Sequence, residues 1–513
     1  MHREIKIGIV ITYITLIFGN LVSFIYTPFM ISKIGQTEYG LISLVNSIIA
    51  YISLIDSGIG SSIVRYNSAC IAKNDYEKQS RINGMFLKMF LLLSLVCIGL
   101  GVILNFFIDD FFSLYSTYEV DLTRKLLIVA SLNLALSFPL NVFSSIILAF
   151  EKFTFCKTLN MIKTFINPLI SVCILLAGGK SLALLGLNLT ITIFFGLINI
   201  FYCFICLKIK ISFKKLDLNI VKEIFTFSFY IFLSMLAYQI YWNTDQFIIG
   251  RYIGASSIAI YAIAMSFYNY FNMFSNFGTE IFLPRYTKMF ESSTKINDVL
   301  NEIIKISRIQ LYISCFIFYG FIIIGEDFIK LWVGDTYAYS YIIAIILMIP
   351  QIISIIQSLF ATILQSLNKH KFKSLIYLSM ALVNILLSLY FVADYGVIGC
   401  AIGTLIGMLL NAIINNLYYK YSLKINMNYY WLQIIKSYIP ITLLSFVIYI
   451  FVHACNITMC NYFAILFFIF IYGLLYIVVI YFCLEKKNKI YLVERVRKFL
   501  QKFNFNNNPS ENG

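Results

Sequence analysis

The sequence predicts an all-α integral membrane protein of about fourteen transmembrane helices, arranged as two parallel six-helix repeats followed by two further helices. Three observations predict it. Only 12% of the 513 residues are charged and 60% are hydrophobic, with a mean hydropathy of +0.85. A soluble domain carries roughly 25% charged residues, so this chain has too little polar surface to coat a globule of its size. Apolar segments of about 20 residues, the length that crosses ~30 Å of hydrocarbon, recur along the chain. The chain also aligns with itself at a nearly constant offset.

The first six apolar segments cover 7–31, 40–66, 86–108, 126–149, 160–178 and 182–206. The next six cover 224–249, 255–283, 306–325, 341–364, 374–393 and 397–419, and the last two cover 431–453 and 462–483. The opening MHREIKIGIV runs into the first segment with no small-residue cleavage site, which reads as an uncleaved anchor. Placing the N-terminus in the cytoplasm puts 33 of the 39 lysines and arginines on the inner side and 6 on the outer. That alternation supports fourteen spans with both termini inside. The net charge of +15 is then topology and calls for no nucleic-acid partner.

At an offset of 219, Gly35 meets Gly254 and Tyr51 meets Tyr270; one residue later in register, Gly58 meets Gly278 and Arg65 meets Arg285. At an offset of 217, residues 152–202 align without a gap onto 369–419, with 9 of 51 positions identical. The matches include Lys152/Lys369, Asn167/Asn384, Ser171/Ser388, Gly179/Gly396 and Gly186/Gly403. These residue types are scarce in membrane spans, so their coincidence marks a duplication. The division that follows is an N-terminal half (1–207), a basic linker (208–223), a C-terminal half (224–420), an appended pair (431–484) and a tail (485–513). The tail stretch KKNKIYLVERVRKFLQKF reads as an amphipathic helix on anionic lipid. An even number of helices per repeat makes the repeats parallel, and transporters built this way bind substrate between halves.

The external turn PFMISKIGQTEYG (28–40) and the stretch NTDQFIIGRYIG (243–254) resemble those of the polysaccharide flippase family, within the multidrug/oligosaccharidyl-lipid/polysaccharide exporter superfamily. The resemblance implies a V-shaped bundle pair around a central cavity, working by alternating access. It further implies that the cargo is an undecaprenyl-pyrophosphate-linked glycan, an O-antigen, capsule or exopolysaccharide unit. On that reading the protein is a monomer in the bacterial cytoplasmic membrane, flips its cargo to the outer leaflet, and works beside a glycan polymerase and a chain-length regulator.

An ionisable group inside the membrane costs at least ~2.5–3.5 kcal/mol and defaults to a functional hypothesis. Asp56 (YISLIDSGIG), Asp245 (YWNTDQFIIG) and Glu280 (GTEIFLPRY) fall within spans and are candidates for binding a coupling ion. Asp245 meets Tyr26 in the repeat alignment, so its charge is peculiar to one half. Asp56, deepest in its span and followed by Ser-Gly-x-Gly, is the first choice of the three, while bland readings stand beside the other two: a local backbone cap or a bond to Asn20 for Asp245, an ion pair with Arg285 for Glu280. A pyrophosphate cargo calls for cations, and Arg65, Arg285 and Lys163 near the inner face are candidates, with Arg251 and Lys33 at the outer elbows. All five also fit ordinary boundary anchoring.

Other functions remain open on the sequence: a cation-coupled exporter of drugs or small molecules, a membrane-embedded glycan polymerase or ligase, or a scaffold. The three histidines, His2, His370 and His453, are scattered, and there is no GxxxxGK[ST] nucleotide loop. No cofactor, metal or catalytic constellation is expected, and the protein reads as a transporter rather than an enzyme.

Overall fold

A computed structural model describes residues 2–56, 59–111, 114–213, 218–276, 285–286, 288–289, 296–367, 370–455, 457, 459 and 461–483. Among them the secondary structure is helical throughout. The helices are α1 (His2–Ile52), α2 (Ile59–Ala72), α3 (Tyr76–Phe106), the short α4 (Ile108–Phe111), α5 (Thr117–Ala149), α6 (Phe153–Leu176) and α7 (Ser181–Phe201). They continue as α8 (Leu218–Tyr252), α9 (Ala255–Ser275), α10 (Ile296–Val333), α11 (Tyr339–Ile356), α12 (Ser358–Ser366), α13 (His370–Tyr421), α14 (Met427–Ala454) and α15 (Tyr462–Cys483).

Ten of the described helical stretches are long and apolar enough to cross a membrane. Two of them hold two crossings each. The chain reverses at Gly35 (φ 83°) inside α1 and at Gly396 (φ 57°) inside α13. With α8 and α9, which match the seventh and eighth apolar segments, the count among the described residues reaches the fourteen expected from hydropathy. Glu280 and the tail 485–513 lie outside the described residues.

The chain divides into two compact units. One comprises residues 1–266 and 371–411, the other 267–370 and 412–513. In the first, α1 packs on α5, α6 and α8, while α5 packs on α3 and α7. The start of the basic linker is stapled to α3: Ser212 N–H donates to the Ser80 carbonyl at 2.9 Å, and Lys88 Nζ donates to the Phe213 carbonyl at 2.8 Å. Ser116 and Glu119 form a capping box at the start of α5, each satisfying the other's backbone N–H. In the second unit, α10 packs on α11, α14 and α15. Its core is aromatic, with Phe316 stacked on Tyr472 at 5.2 Å and Tyr476 donating to the Tyr312 carbonyl at 2.7 Å.

The two repeat-related elbows share one backbone device. Gly35 (φ 83°) and Gly254 (φ 123°) both occupy positive-φ space that side-chain-bearing residues avoid. The elbows also touch each other. Gln36 Nε2 donates to the Ser256 carbonyl at 3.0 Å, and a Cβ on Gly40 would stand 2.0 Å from the Ala255 carbonyl oxygen. Beside them, Arg251 Nη1 donates to the carbonyls of Asp110 and Phe111 at 2.6 and 2.7 Å. These carbonyls end α4, so the guanidinium caps that helix and holds the connection between α3 and α5 against the second elbow.

The Gly40 approach is backbone against helix, with no flexible side chain to yield. Gly40→Ala is expected to cost about 1–3 kcal/mol, read as a fall in the thermal midpoint of the detergent-purified protein.

Candidate functional site

Asp245 lies on α8 six residues before Arg251 and is 1% exposed. Its carboxylate is enclosed by hydroxyls from two other helices. Tyr261 Oη, on α9, donates to Oδ2 at 2.6 Å, and Thr404 Oγ1, on the second arm of α13, donates to the same oxygen at 2.7 Å. Ser388 Oγ, on the first arm of α13, donates to Oδ1 at 3.0 Å. Asn384, one turn from Ser388, sets its side-chain amide 3.1 Å from Ser388 Oγ and 3.2 Å from Thr404 Oγ1. The Cys400 carbonyl lies 3.3 Å from Ser388 Oγ. Tyr261, Ser388 and Thr404 are themselves at most 1% exposed. Among the described residues no lysine or arginine pairs with Asp245.

The fold-back of α13 at Gly396 is what brings Ser388 and Thr404 to one carboxylate. Gly399, Gly403 and Gly407 recur every fourth residue and let the second arm lie against the first, as small residues do between membrane helices. A Cβ on Gly403 would sit 2.5 Å from Ser388 Oγ and 2.7 Å from Ser388 N.

Seven oxygens are gathered here: two from Asp245 and one each from Tyr261, Asn384, Ser388, Thr404 and the Cys400 carbonyl. Such a set suits a hard cation. Only one of the groups is ionised, and among the described residues no three His, Cys, Asp or Glu side chains cluster. One buried negative charge is balanced by one positive charge, so the charge arithmetic suits a monovalent cation or a proton. Serine and threonine hydroxyls donate or accept by rotation alone. The same hydroxyls can therefore turn protons to a bare carboxylate or lone pairs to a cation.

The residues flanking Asp245 hold α1. Thr244 Oγ1 is 2.5 Å from Tyr51 Oη, and Gln246 Oε1 accepts from Ser47 at 2.8 Å. Tyr51 also donates to the Gln239 carbonyl at 3.1 Å. Span 2 is thus tied to span 7 on either side of the cage.

The first repeat has a counterpart without charge. Asn167 and Ser171, the matches of Asn384 and Ser388, are joined at 3.3 Å, and Asn167 donates to Asn188 at 2.8 Å. Tyr26 stands where Asp245 stands in the second repeat.

The remaining sequence candidates are placed apart from the cage. Asp56 ends a short 3-10 turn, Ser53–Asp56, that interrupts the second span; the turn packs on α8, and Asp56 Oδ1 is buried with no hydrogen-bond partner among the described residues. Lys163 is half-buried on α6, the helix packed on the first arm of α1. Arg65 is exposed, its guanidinium 5.7 Å from the Tyr66 ring. Arg285, in the second unit, pairs with Glu302 at 3.0 Å. Lys33 is exposed over Phe29 at 5.9 Å, and Arg251 caps α4.

Glu38, inside the quoted elbow motif, escaped the sequence reading. It is 5% exposed and accepts from Ser181 Oγ at 2.6 Å, Ser181 N–H at 3.2 Å and Tyr118 Oη at 2.9 Å, with Lys180 Nζ at 3.4 Å. Ser181 opens α7, so the carboxylate sits at a helix N-terminus, where negative charge is favoured. Its position beside a glycine turn concealed it. Thr404 and Tyr261 were equally silent, although the four-residue glycine stripe marks the face that carries Thr404.

Thr404→Val keeps shape and removes one donor to a buried carboxylate, at an expected cost of about 1–3 kcal/mol. In an Asp245→Asn background the same change is expected to cost less than half as much. A double-mutant cycle on thermal stability in detergent reads the coupling.

Residues 6–264 match a family profile described as polysaccharide biosynthesis protein. A putative O-antigen transporter of Salmonella typhi is 23% identical over 430 residues, covering 79% of this chain and 93% of its own length. Among solved structures, the lipid II flippase MurJ in an inward closed conformation superposes with a TM-score of 0.70 at 19% identity, over 92% of this chain and 98% of its own. An inward-facing multidrug resistance MATE family transporter of the MOP superfamily reaches a TM-score of 0.67 at 14% identity, over 81% and 98%. These two likenesses establish a shared fold, and the profile match establishes more: the chain belongs to the polysaccharide biosynthesis protein family, to which its elbow motifs point.

Proposed function

We propose that this protein is a flippase that moves a lipid-linked oligosaccharide, destined for a surface polysaccharide, from the cytoplasmic to the outer leaflet of the bacterial cytoplasmic membrane. It acts by alternating access and is driven by a monovalent cation or proton bound at Asp245. Family membership and the O-antigen transporter relative supply the cargo class. The observation that carries the coupling is a carboxylate 1% exposed, without a cationic partner among the described residues, held in a shell of neutral oxygens. A structural carboxylate in hydrocarbon is stabilised most simply by a lysine or arginine; a shell of rotatable hydroxyls suits a charge that is neutralised only part of the time.

The coupling runs along α8. Entry of a cation reorients the hydroxyls around Asp245, whose neighbours Thr244 and Gln246 carry the hydrogen bonds to Tyr51 and Ser47. Cation occupancy thereby biases how α8 sits against α1, the two helices that bear the outer elbows. Asp56, at the break in the second span, is the next candidate for a second protonatable position. On the cargo side, Lys163 and Arg65 belong to the unit that holds the cage and suit a pyrophosphate arriving from the cytoplasmic leaflet. The lipid is undecaprenyl pyrophosphate in this reading, the protein is a monomer and not an enzyme, and a polymerase with its chain-length regulator takes the product.

In cells lacking the protein, complete lipid-linked oligosaccharide is expected to accumulate on the cytoplasmic face. Wild-type protein clears it, and Asp245→Asn, expressed at the same level, does not. Units that reach the outer leaflet but remain monomeric would mark a polymerase instead. Unchanged lipid-linked sugars would move the reading to a small-molecule exporter, the class of the MATE neighbour.

A further inference from the structure

We propose that the tenth span bends and straightens at Gln357 during the transport cycle, and that the appended helix α14 holds the bent form through Tyr430 and Trp431. The inference rests on the alternating-access reading above. The break separates α11 (Tyr339–Ile356) from the nine-residue α12 (Ser358–Ser366), which together fill the apolar segment 341–364. Gln357, at the joint, has φ −97° and ψ 3°. The fourth span, its equivalent in the first repeat, has no such break: α5 runs from Thr117 to Ala149 without interruption, through Pro139.

The joint has its own hydrogen-bond chemistry. Phe360 N–H donates to the Gln357 carbonyl, three residues back, at 3.0 Å. A continuous α-helix would aim that N–H at Ile356. The Ile356 carbonyl accepts two hydroxyls instead, Ser307 Oγ from α10 and Tyr430 Oη from α14, each at 2.7 Å. Both donors are 0% exposed. Within a membrane a freed carbonyl is tolerated where neighbouring side chains satisfy it, and here both of its lone pairs are taken. Straightening returns Phe360 N–H to Ile356 as the hydroxyls let go, so neither form leaves the carbonyl bare. A 3-10 turn in mid-helix is a common mark of a functional hinge.

Polar side chains on either side of the joint make the bend specific, and all belong to the second compact unit. Gln357 Nε2 donates to Asn416 Oδ1 at 2.9 Å, and Trp431 Nε1 reaches the same oxygen at 2.8 Å. An indole N–H can only donate, which fixes that atom of Asn416 as the acceptor. Gln310 Nε2, on α10, donates to Ser358 Oγ at 3.0 Å. The Phe360 ring lies 5.1 Å from the ring of Tyr419 and 5.0 Å from that of Tyr430. Two adjacent residues of α14 thus serve the break: Tyr430 holds the carbonyl before it, and Trp431 shares the acceptor that Gln357 uses. Side-chain bonds of this kind exchange for backbone bonds without unwinding the helices that carry them. The appended helix therefore stabilises one of two shapes of the tenth span.

The test is fluorine NMR of the full-length protein in lipid nanodiscs, with 5-fluorotryptophan in place of its three tryptophans. The Trp431 signal is assigned by its loss in Trp431→Phe. Saturation transfer in the wild type is expected to link that signal to a second, less populated one. Ser307→Ala combined with Tyr430→Phe removes both hydroxyls and is expected to shift the ratio of the same two signals about ten-fold towards the second. Clearance of lipid-linked oligosaccharide in cells is expected to fall several-fold in that variant at matched expression. Tyr430→Phe alone gives a smaller shift in the same direction, and it decides the matter if the double variant does not fold. A wild-type Trp431 signal with no exchange partner overturns the joint, as do variants that lower the thermal midpoint but keep wild-type clearance. The spectrum needs no cargo, so its failure leaves the flippase reading standing. Unchanged lipid-linked sugars in cells lacking the protein strike that reading and leave a two-signal spectrum intact.

Discussion

A carboxylate enclosed in hydrocarbon and denied a cation has to be surrounded by donors, and that requirement organises the described core of the first unit. Asp245 draws on α9 for one hydroxyl and on both arms of α13 for two more. Two arms of one helix reach the same carboxylate only because the chain reverses at Gly396 and because glycine lines the seam behind it. The fold-back, the glycine stripe and the tyrosine on the neighbouring helix all follow from the need to keep one charge dry and satisfied. A lysine in that position would neutralise the carboxylate permanently, whereas the hydroxyl shell leaves its charge in place.

The repeats share a scaffold and differ in chemistry. Asn167 and Ser171 reproduce the geometry of Asn384 and Ser388, but the position of Asp245 is taken by Tyr26. A phenol there brings no charge to balance. The duplicated frame thus carries two different seams: a neutral polar one between α1 and α6, and one built around a buried carboxylate. Symmetry supplies the places, and a single side chain sets the charge.

Much of the fold was legible because hydrophobic length and charge bias are written residue by residue. Apolar stretches gave the spans, and the scarcity of Asn, Ser and Lys in such stretches made their matches across the repeat conspicuous. Asp245 was visible as an intramembrane acid. Its partners were not. Tyr261 is one of 37 tyrosines in the chain, and Thr404 acquires meaning only once the reversal at Gly396 sets it opposite Ser388. Glu38 was hidden for a different reason: it lies in a turn, where an acid reads as solvated, and only the three-dimensional return of Ser181 and Tyr118 encloses it. Arg251 reads in sequence as an available cation, whereas the structure uses its donors on the carbonyls that end α4. Periodicity reports burial within one helix; it says little about which distant helix supplies the partner.

The meeting of the two elbows bears on how such a chain can change over time. Duplication usually frees each copy to diverge, since a substitution in one leaves the other whole. Here the duplicated turns abut, glycine to backbone at Gly40 and Ala255, amide to carbonyl at Gln36 and Ser256. A larger residue accepted at one elbow has to be answered at the other, some two hundred residues away. The halves therefore inherit as a matched set, and a chimera joining the first half of one relative to the second half of another will be limited by this seam before it is limited by its cargo.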